Sequence, residues 1–247
     1  MSDAATGAVV FDRVSKSFGS KQILRDVSFD VRPGEAVCIL GRSGMGKSVT
    51  LKLTIALLKP DSGRIWIEHD DIARLDKTEL SRVRRKMGFL FQDAALFDSL
   101  TLYENLALPL ARLTSKTPAE VEAIIDQTLH QVGLANDRHK MPSELSGGMR
   151  KRAGLARALV LEPKILLADE PSSGLDRITA AEITDLLLSQ KVERKTALIV
   201  VTHDVHGARR LADRIVVLDQ GRLVANGTVD DVEHSEHAIA RDLIAES

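Results

Sequence analysis

A single cysteine, Cys38, stands in the 247-residue chain, so no disulfide can close within it. It lies in the apolar run Ala36-Val37-Cys38-Ile39-Leu40, where a thiol serves as a small core residue rather than a reactive group. No apolar run approaches the ~20 residues that a membrane-crossing helix needs, and stretches such as Ala197 to Val201 are far shorter. Met1 to Ala8 lacks the charged start and apolar core of a secretion signal. A cytoplasmic protein is therefore expected, and any membrane work requires spans from another chain. Charge of one sign is also missing: 34 basic against 35 acidic residues leave a net charge of -1, without the basic bias of a nucleic-acid footprint. Neither internal repeats nor low-complexity tracts occur. What is present is 44% apolar residues beside 28% charged ones, the balance of a folded chain with a substantial core. The length is near the upper size of one domain.

The chain begins with β character. Residues 8–14 and 22–31 alternate and are rich in β-branched side chains, with a turn at Phe18-Gly19-Ser20 between them. Pro33-Gly34 breaks the chain before a buried strand at 36–40. A helix is expected over Lys47 to Leu58, ending at Lys59-Pro60, and a strand over 63–67. From about 93 to 160 the character is mostly helical. After Pro118, residues Val121, Ile124, Ile125, Leu129 and Val132 share one helical face, and Gly133 marks the stop. Strands return at 164–168, 196–202 and 214–218. Continuous apolar strands alternating with helices predict a parallel sheet covered on both faces. The tail from Thr228 to Ser247 reads as polar and helical, with no evident role.

Gly41-Arg42-Ser43-Gly44-Met45-Gly46-Lys47-Ser48 matches G-x-x-x-x-G-K-[ST] in full, between a buried strand and a helix. Glycines let the backbone wrap a phosphate and turn successive N–H groups inward, and the helix directs its positive end at the same place. Lys47 then reaches the β- and γ-phosphates, and the Ser48 hydroxyl is placed for Mg²⁺. The loop alone leaves kinase, GTPase and ATPase readings open.

Ile165-Leu166-Leu167-Ala168-Asp169-Glu170 is an apolar strand ending in two carboxylates. Adjacent acids repel, so a cation or a chemical function is needed to hold them there. A parallel sheet presents this end at its ligand crevice. Asp169 is expected to coordinate Mg²⁺, directly or through water. Glu170, pointing to the other face, is expected to act as general base on the attacking water. Without the phosphate loop, the same residues would read as the start of a solvated turn.

Leu145-Ser146-Gly147-Gly148-Met149, followed by Arg150-Lys151-Arg152 and a helix-forming run, resembles the LSGGQ signature of ABC ATPases. Ser146 is a good helix cap, and the two glycines leave amides uncovered for an anion. Further motifs of the family follow in position. Gln92 resembles the Q-loop glutamine that touches Mg²⁺ and senses the membrane subunit, and Ser173-Gly174-Leu175-Asp176 resembles the D-loop. His203 resembles the switch histidine at the γ-phosphate. Phe18 resembles the aromatic that stacks on adenine, although the residue alone also suits a core. The likeness covers residues 9 to about 227.

The resemblance implies an α/β fold, the ABC-ATPase form of the P-loop NTPase. It would have an N-terminal antiparallel β layer, a parallel-sheet core and an inserted helical subdomain. Residues 1–247 would form one domain, with the subdomain at about 93–160 and a tail at 228–247. ATP and Mg²⁺ are the implied cofactors. The implied state is a homodimer in which Ser146, Gly147 and Gly148 of one subunit meet the ATP held by residues 41–48 of the other. Integral-membrane permease subunits are the implied partners, on the inner face of the cell membrane. Leu96, Phe97 and Leu100 would either receive a permease helix or pack inside the lobe.

Position 149 is methionine where most members carry glutamine. Met149, with Met141-Pro142-Ser143-Glu144 and Phe91-Gln92-Asp93-Ala94-Ala95-Leu96-Phe97, is similar to the ATPase of Mce-type phospholipid transporters. That group implies an Mce-domain substrate-binding protein and a STAS-domain regulator as further partners. A different transporter class, such as lipoprotein release or small-solute import, is the alternative. A non-transport ABC ATPase would usually bring a second cassette or a long coiled coil.

Overall fold

Period-two alternation decides the architecture. The computed structural model describes residues 7–245; Met1 to Thr6, most of the segment read above for a secretion signal, and the last two residues of the tail lie outside them. In chain order the elements are β1 (Val9–Phe18), β2 (Lys21–Val31), β3 (Ala36–Leu40), α1 (Lys47–Thr54), β4 (Ser62–Ile67), β5 (Asp70–Asp71), α2 (Lys77–Arg84), β6 (Met87–Leu90), α3 (Leu102–Leu113), α4 (Pro118–Gln131) and α5 (Gly147–Leu159). After these come β7 (Ile165–Asp169), α6 (Arg177–Arg194), β8 (Ala197–Val201), α7 (Val205–Leu211), β9 (Arg214–Asp219), β10 (Arg222–Gly227), α8 (Val229–Glu233) and α9 (Ala238–Ala245).

The strands form two sheets. One is antiparallel, in the order β2-β1-β4-β5. The other runs β10-β9-β3-β8-β7-β6, parallel from β9 to β6 with β10 antiparallel at one edge. In the central strands both faces are buried, and successive residues divide between two cores. Val37 and Ile39, Ile165 and Leu167, and Ile199 and Val201 join α1 and the antiparallel sheet on one side. Cys38, Leu166, Ala168 and Val200 face α5, α6, α7 and the tail on the other. Burial pushes the Cys38 thiol up to about 12, so it is inert core, as its apolar setting predicts.

A third core belongs to the helical lobe, where Leu102, Leu106 and Leu110 of α3 meet Ile125 and Leu129 of α4, Ala153 and Ala156 of α5, and Val160 just after it. Helix α5 is shared, because its Leu155, Ala158 and Leu159 pack on the parallel sheet instead. Gly88 in β6 permits that approach: a Cβ there would lie 2.3 Å from the Ala158 carbonyl oxygen. The lobe's entry is not helical from residue 93. Ala94 and Ala95 have φ of 59° and 51°, and buried Asn105 pins the segment by accepting from the Phe97 N–H (2.8 Å) and donating to the carbonyls of Leu100 (3.0 Å) and Thr101 (2.9 Å).

Most expected strand bounds differ from the observed ones by a residue or two, β1 runs on to Phe18, and one helix ends well short of its expected end. Helix α1 stops at Thr54 rather than Leu58, because Arg84 donates to the carbonyls of Ile55 (3.0 Å) and Ala56 (2.9 Å) and supports a left-handed Ala56 at φ 55°. The tail, for its part, helps to close the second core. Val232, Ala240 and Ile244 are buried there, and Arg209 donates to the Ile244 carbonyl at 3.1 Å. Ile244→Ala is therefore expected to cost about 2–4 kcal/mol in denaturant unfolding. An unchanged midpoint would show that the tail is not part of the core.

Candidate nucleotide site

The carboxyl ends of β3, β7 and β8 lie side by side, with Ile39 in register with Val201 and Val201 with Asp169. The loops leaving them converge on an open cleft of about 810 Å³, lined by Phe18, Gly41 to Ser48 except Met45, Gln92, Glu170, Ser173 and His203 among others. This is where a parallel sheet offers its crevice.

Gly41 has φ 151°, and a Cβ on it would sit 2.4 Å from the Leu218 carbonyl oxygen, so only glycine lets the loop turn off β3 against β9. Gly46, at φ 100°, begins α1 without any side-chain cap, whereas α2, α3 and α4 are each closed by a capping box. The first amides of α1 thus remain available to an anion. Lys47 is buried, and its Nζ donates to the loop's own carbonyls at Gly41 (2.7 Å) and Arg42 (3.3 Å). Burial lowers its pKa, while the charges of Glu170 and Asp169 act in the opposite sense. A concentrated negative ligand would relieve that desolvation cost.

Strand parity aims Asp169. Ile165 and Leu167 face α1, and Asp169, two residues on, continues that face to accept a hydrogen bond from Ser48 Oγ at 2.9 Å. Burial holds its carboxyl above the usual aspartate value; the Ser48 bond pulls the other way, and the neighbouring Glu170 charge pushes it higher. Glu170 is not placed by alternation, since the strand ends at Asp169 and Glu170 adopts φ 48°. Its N–H donates to the Val201 carbonyl at 2.8 Å, and its Oε2 lies 2.7 Å from His203 Nδ1 and accepts from the His203 N–H at 3.2 Å. A hydroxyl and a carboxylate beside a phosphate loop fit Mg²⁺, which takes one or two carboxylates with phosphate and water rather than an all-protein cage. Among the described residues no group of three or more His, Cys, Asp and Glu side chains is arranged to hold a metal by itself.

Phe18 ends β1 at the cleft mouth and is 48% exposed, so it is not core. Gln92 lies in the cleft wall. Ser146, Gly147 and Gly148 are not brought there. They form the tip of α5, where Ser146 Oγ accepts from the Met149 N–H at 3.2 Å and the Gly147 surface is open. In the D-loop, Asp176 is occupied as the cap of α6, accepting from the N–H groups of Ile178 and Thr179. The pair Leu96 and Phe97 divides: Leu96 packs on the lobe core, while Phe97 is 49% exposed with the Arg157 guanidinium 5.6 Å from its ring centre. Sequence reasoning missed Lys151, which is buried and donates to the carbonyls of Gln92 and, at 2.9 Å, Glu170. The only available signal was its place within a basic triplet.

A family model described as ABC transporter matches residues 24–173. The chain belongs to the ABC transporter family. As a member it is an ATP-binding cassette with ATPase activity. The cassette is 43% identical to the "Probable ribonucleotide transport ATP-binding protein mkl" of Mycobacterium leprae, over 96% of this chain and 68% of that protein. The Mycobacterium tuberculosis protein of the same name is also 43% identical over 94% of the chain, which spans only 64% of that relative's length. A methionine import ATP-binding protein MetN of Cupriavidus metallidurans is 38% identical, over 92% of the chain and 66% of the relative. A dimeric post-hydrolysis ATP-binding cassette bound to ADP and Pi superposes with a TM-score of 0.83 at 34% identity, covering 89% of this chain and 98% of that one. No helix among the described residues of the cassette is long and apolar enough to cross a membrane.

With the Asp169 pKa raised, its ionised form is the costly one in the nucleotide-free fold, and that cost grows as pH rises through the raised value. Asp169→Asn is therefore expected to melt at a higher temperature than the parent at pH 7, with the gap closing as pH falls below the ordinary aspartate range. Calorimetry across pH checks this, and a variant less stable than the parent at pH 7 would contradict it.

Proposed function

We propose that the chain is the ATP-hydrolysing motor of a membrane transporter that moves phospholipid or a related lipid. The observation that carries the ATPase reading is the meeting of Ser48 with Asp169 and of Glu170 with His203 at one end of the sheet, beside Lys47. In this reading Gly41, Arg42, Ser43, Gly44, Met45 and Gly46 wrap the phosphates, Lys47 neutralises them, and Phe18 stacks on the base. Ser48, Asp169 and Gln92 hold Mg²⁺, which when bound supplies charge neutralisation on the phosphate oxygens. Glu170 accepts the proton of the attacking water. His203, hydrogen-bonded to it through Nδ1, keeps the carboxylate oriented while the ring faces the γ-phosphate.

The signature tip lies on a separate lobe, with Ser146 and Gly147 exposed and Gly148 half-buried against Thr179. We therefore assign Ser146, Gly147 and Gly148 to the nucleotide of a second copy, giving a two-fold dimer with two shared sites. ATP bridges the copies and hydrolysis removes the bridge, which makes the dimer a ligand-driven switch. Exposed Phe97 and the adjoining Q-loop are the surface offered to a permease. The whole chain, residues 1–247, acts as one cassette at the inner face of the cell membrane.

The lipid assignment rests on Met149 and on the strings at 91–97 and 141–144, which are similar to those of Mce-type systems. An Mce-domain substrate-binding protein and a STAS-domain regulator belong to that reading. The names of the relatives favour a second one, transport of a small solute such as a ribonucleotide, or import of one such as methionine. Reconstitution of the cassette with its permease separates them. Phospholipid is expected to stimulate ATP turnover and to move, and stimulation by a ribonucleotide or methionine instead would favour the second reading.

Two variants test the site. Glu170→Gln is expected to lower ATP turnover by about 10²- to 10⁴-fold while ATP still binds and traps a dimer on size exclusion. Near-normal hydrolysis would remove Glu170 from the base role. Ser146→Arg is expected to stop hydrolysis with nucleotide affinity of the single subunit unchanged, and weaker binding to the isolated monomer would count against a shared site.

A further inference from the structure

Lys151 has no part in the reading above, yet it is among the few buried charged side chains of the described residues, at 6% exposure. Its ammonium bears no direct salt bridge among the described residues. It donates instead to two main-chain carbonyls from different elements, that of Gln92 after β6 and that of Glu170 after β7, the latter at 2.9 Å. A buried ammonium is costly, and burial does lower its pKa. The carboxylates of Asp93, Glu170 and Asp169 offset part of that cost.

The two acceptors are distinctive. Glu170 sits in the left-handed region, at φ 48°, which a side chain with a Cβ adopts only when its surroundings impose it. Its N–H is gripped by the Val201 carbonyl in β8 at 2.8 Å. Its carbonyl is gripped by Lys151. One peptide neighbour is thus fixed by the sheet and the other by α5, and the carboxylate's direction follows from both. Lys151 ties the first residue of the Q-loop to the same point. The helix that delivers it is wedged in place. A Cβ on Gly154 would lie 2.9 Å from Ala94 Cα, and Gly88 admits the Ala158 carbonyl on the same flank. The N-terminal tip of this helix is Ser146, so the element reaching toward a second copy's nucleotide also holds the Glu170 main-chain carbonyl of its own subunit.

We propose that Lys151 is a positioning residue for hydrolysis: through the carbonyls of Glu170 and Gln92 it sets the aim of the general base and ties the Q-loop to it. This rests on the assignment of Glu170 as base. Lys151 is not among the residues that line the cleft, so its removal acts on turnover and spares binding.

Steady-state ATPase, equilibrium binding of ATP and thermal melting of full-length Lys151→Met, Lys151→Gln and Lys151→Arg test the proposal. Lys151→Met is expected to lower kcat by about 10- to 100-fold, the scale of a misplaced catalytic group, with KM for ATP within about twofold of the parent. In the Glu170→Gln background it is expected to retain the ATP-trapped dimer. Lys151→Arg, which keeps charged donors, is expected to recover most of the loss, and Lys151→Gln less. A kcat within twofold of the parent in a folded Lys151→Met protein overturns the proposal. So does a parallel loss of ATP affinity or trapping, which marks a merely structural lysine. If Lys151→Met does not fold, equal activity of the arginine and glutamine variants overturns it. Normal turnover by Glu170→Gln alone would instead place the fault in the base assignment.

Discussion

The hydrogen bond from Ser48 to Asp169 joins the start of α1 to the end of β7, and the site depends on the parity that makes it possible. In a strand buried on both faces, a shift of one residue exchanges the faces. Asp169 shares its face with Ile165 and Leu167, the side on which α1 lies. A one-residue slip of β7 against β8 would carry the carboxylate to the other core, away from the phosphate loop. The apolar run that pins the register therefore also pins the acid. Glu170 escapes the same rule only because the chain leaves the strand there with a positive φ, held by Val201 on one side and Lys151 on the other.

Much of this was legible in the sequence, for identifiable reasons. The strands at 36–40, 165–169 and 197–201 announce themselves because both faces are buried and nearly every position is apolar. The phosphate loop was legible because its glycines answer to steric demands that admit few alternatives. Helix α4 was legible in the apolar face that includes Ile125 and Leu129, between Pro118 and Gly133. Where tertiary contacts override local preference, the reading failed. The end of α1 is set by Arg84, distant in sequence, and no local signal in Ile55-Ala56-Leu57-Leu58 announces it. The loop at 94–100 has helix-forming composition, yet Asn105 and the fit of Ala94 against Gly154 give it another shape. The tail is polar on average, and its three buried residues are too sparse to register as a pattern.

Lys151 was invisible for a related reason. A lysine between two arginines on a helix ordinarily reads as solvated surface. Burial arises here because α5 is pressed between a lobe and a sheet, so that its polar flank at this level faces carbonyls rather than water. The family resemblance names the signature at the helix tip and is silent on the turn beneath it.

The inert thiol in β3 has a practical corollary. With no second sulfhydryl in the sequence and this one sealed inside the sheet, the unaltered protein already serves as a background for site-directed spin or fluorophore labelling. A reporter thiol engineered onto the open glycine tip of α5, or beside Phe18 across the cleft, would be modified selectively. The separation of those two points then becomes measurable as a distance, without first stripping out a native side chain.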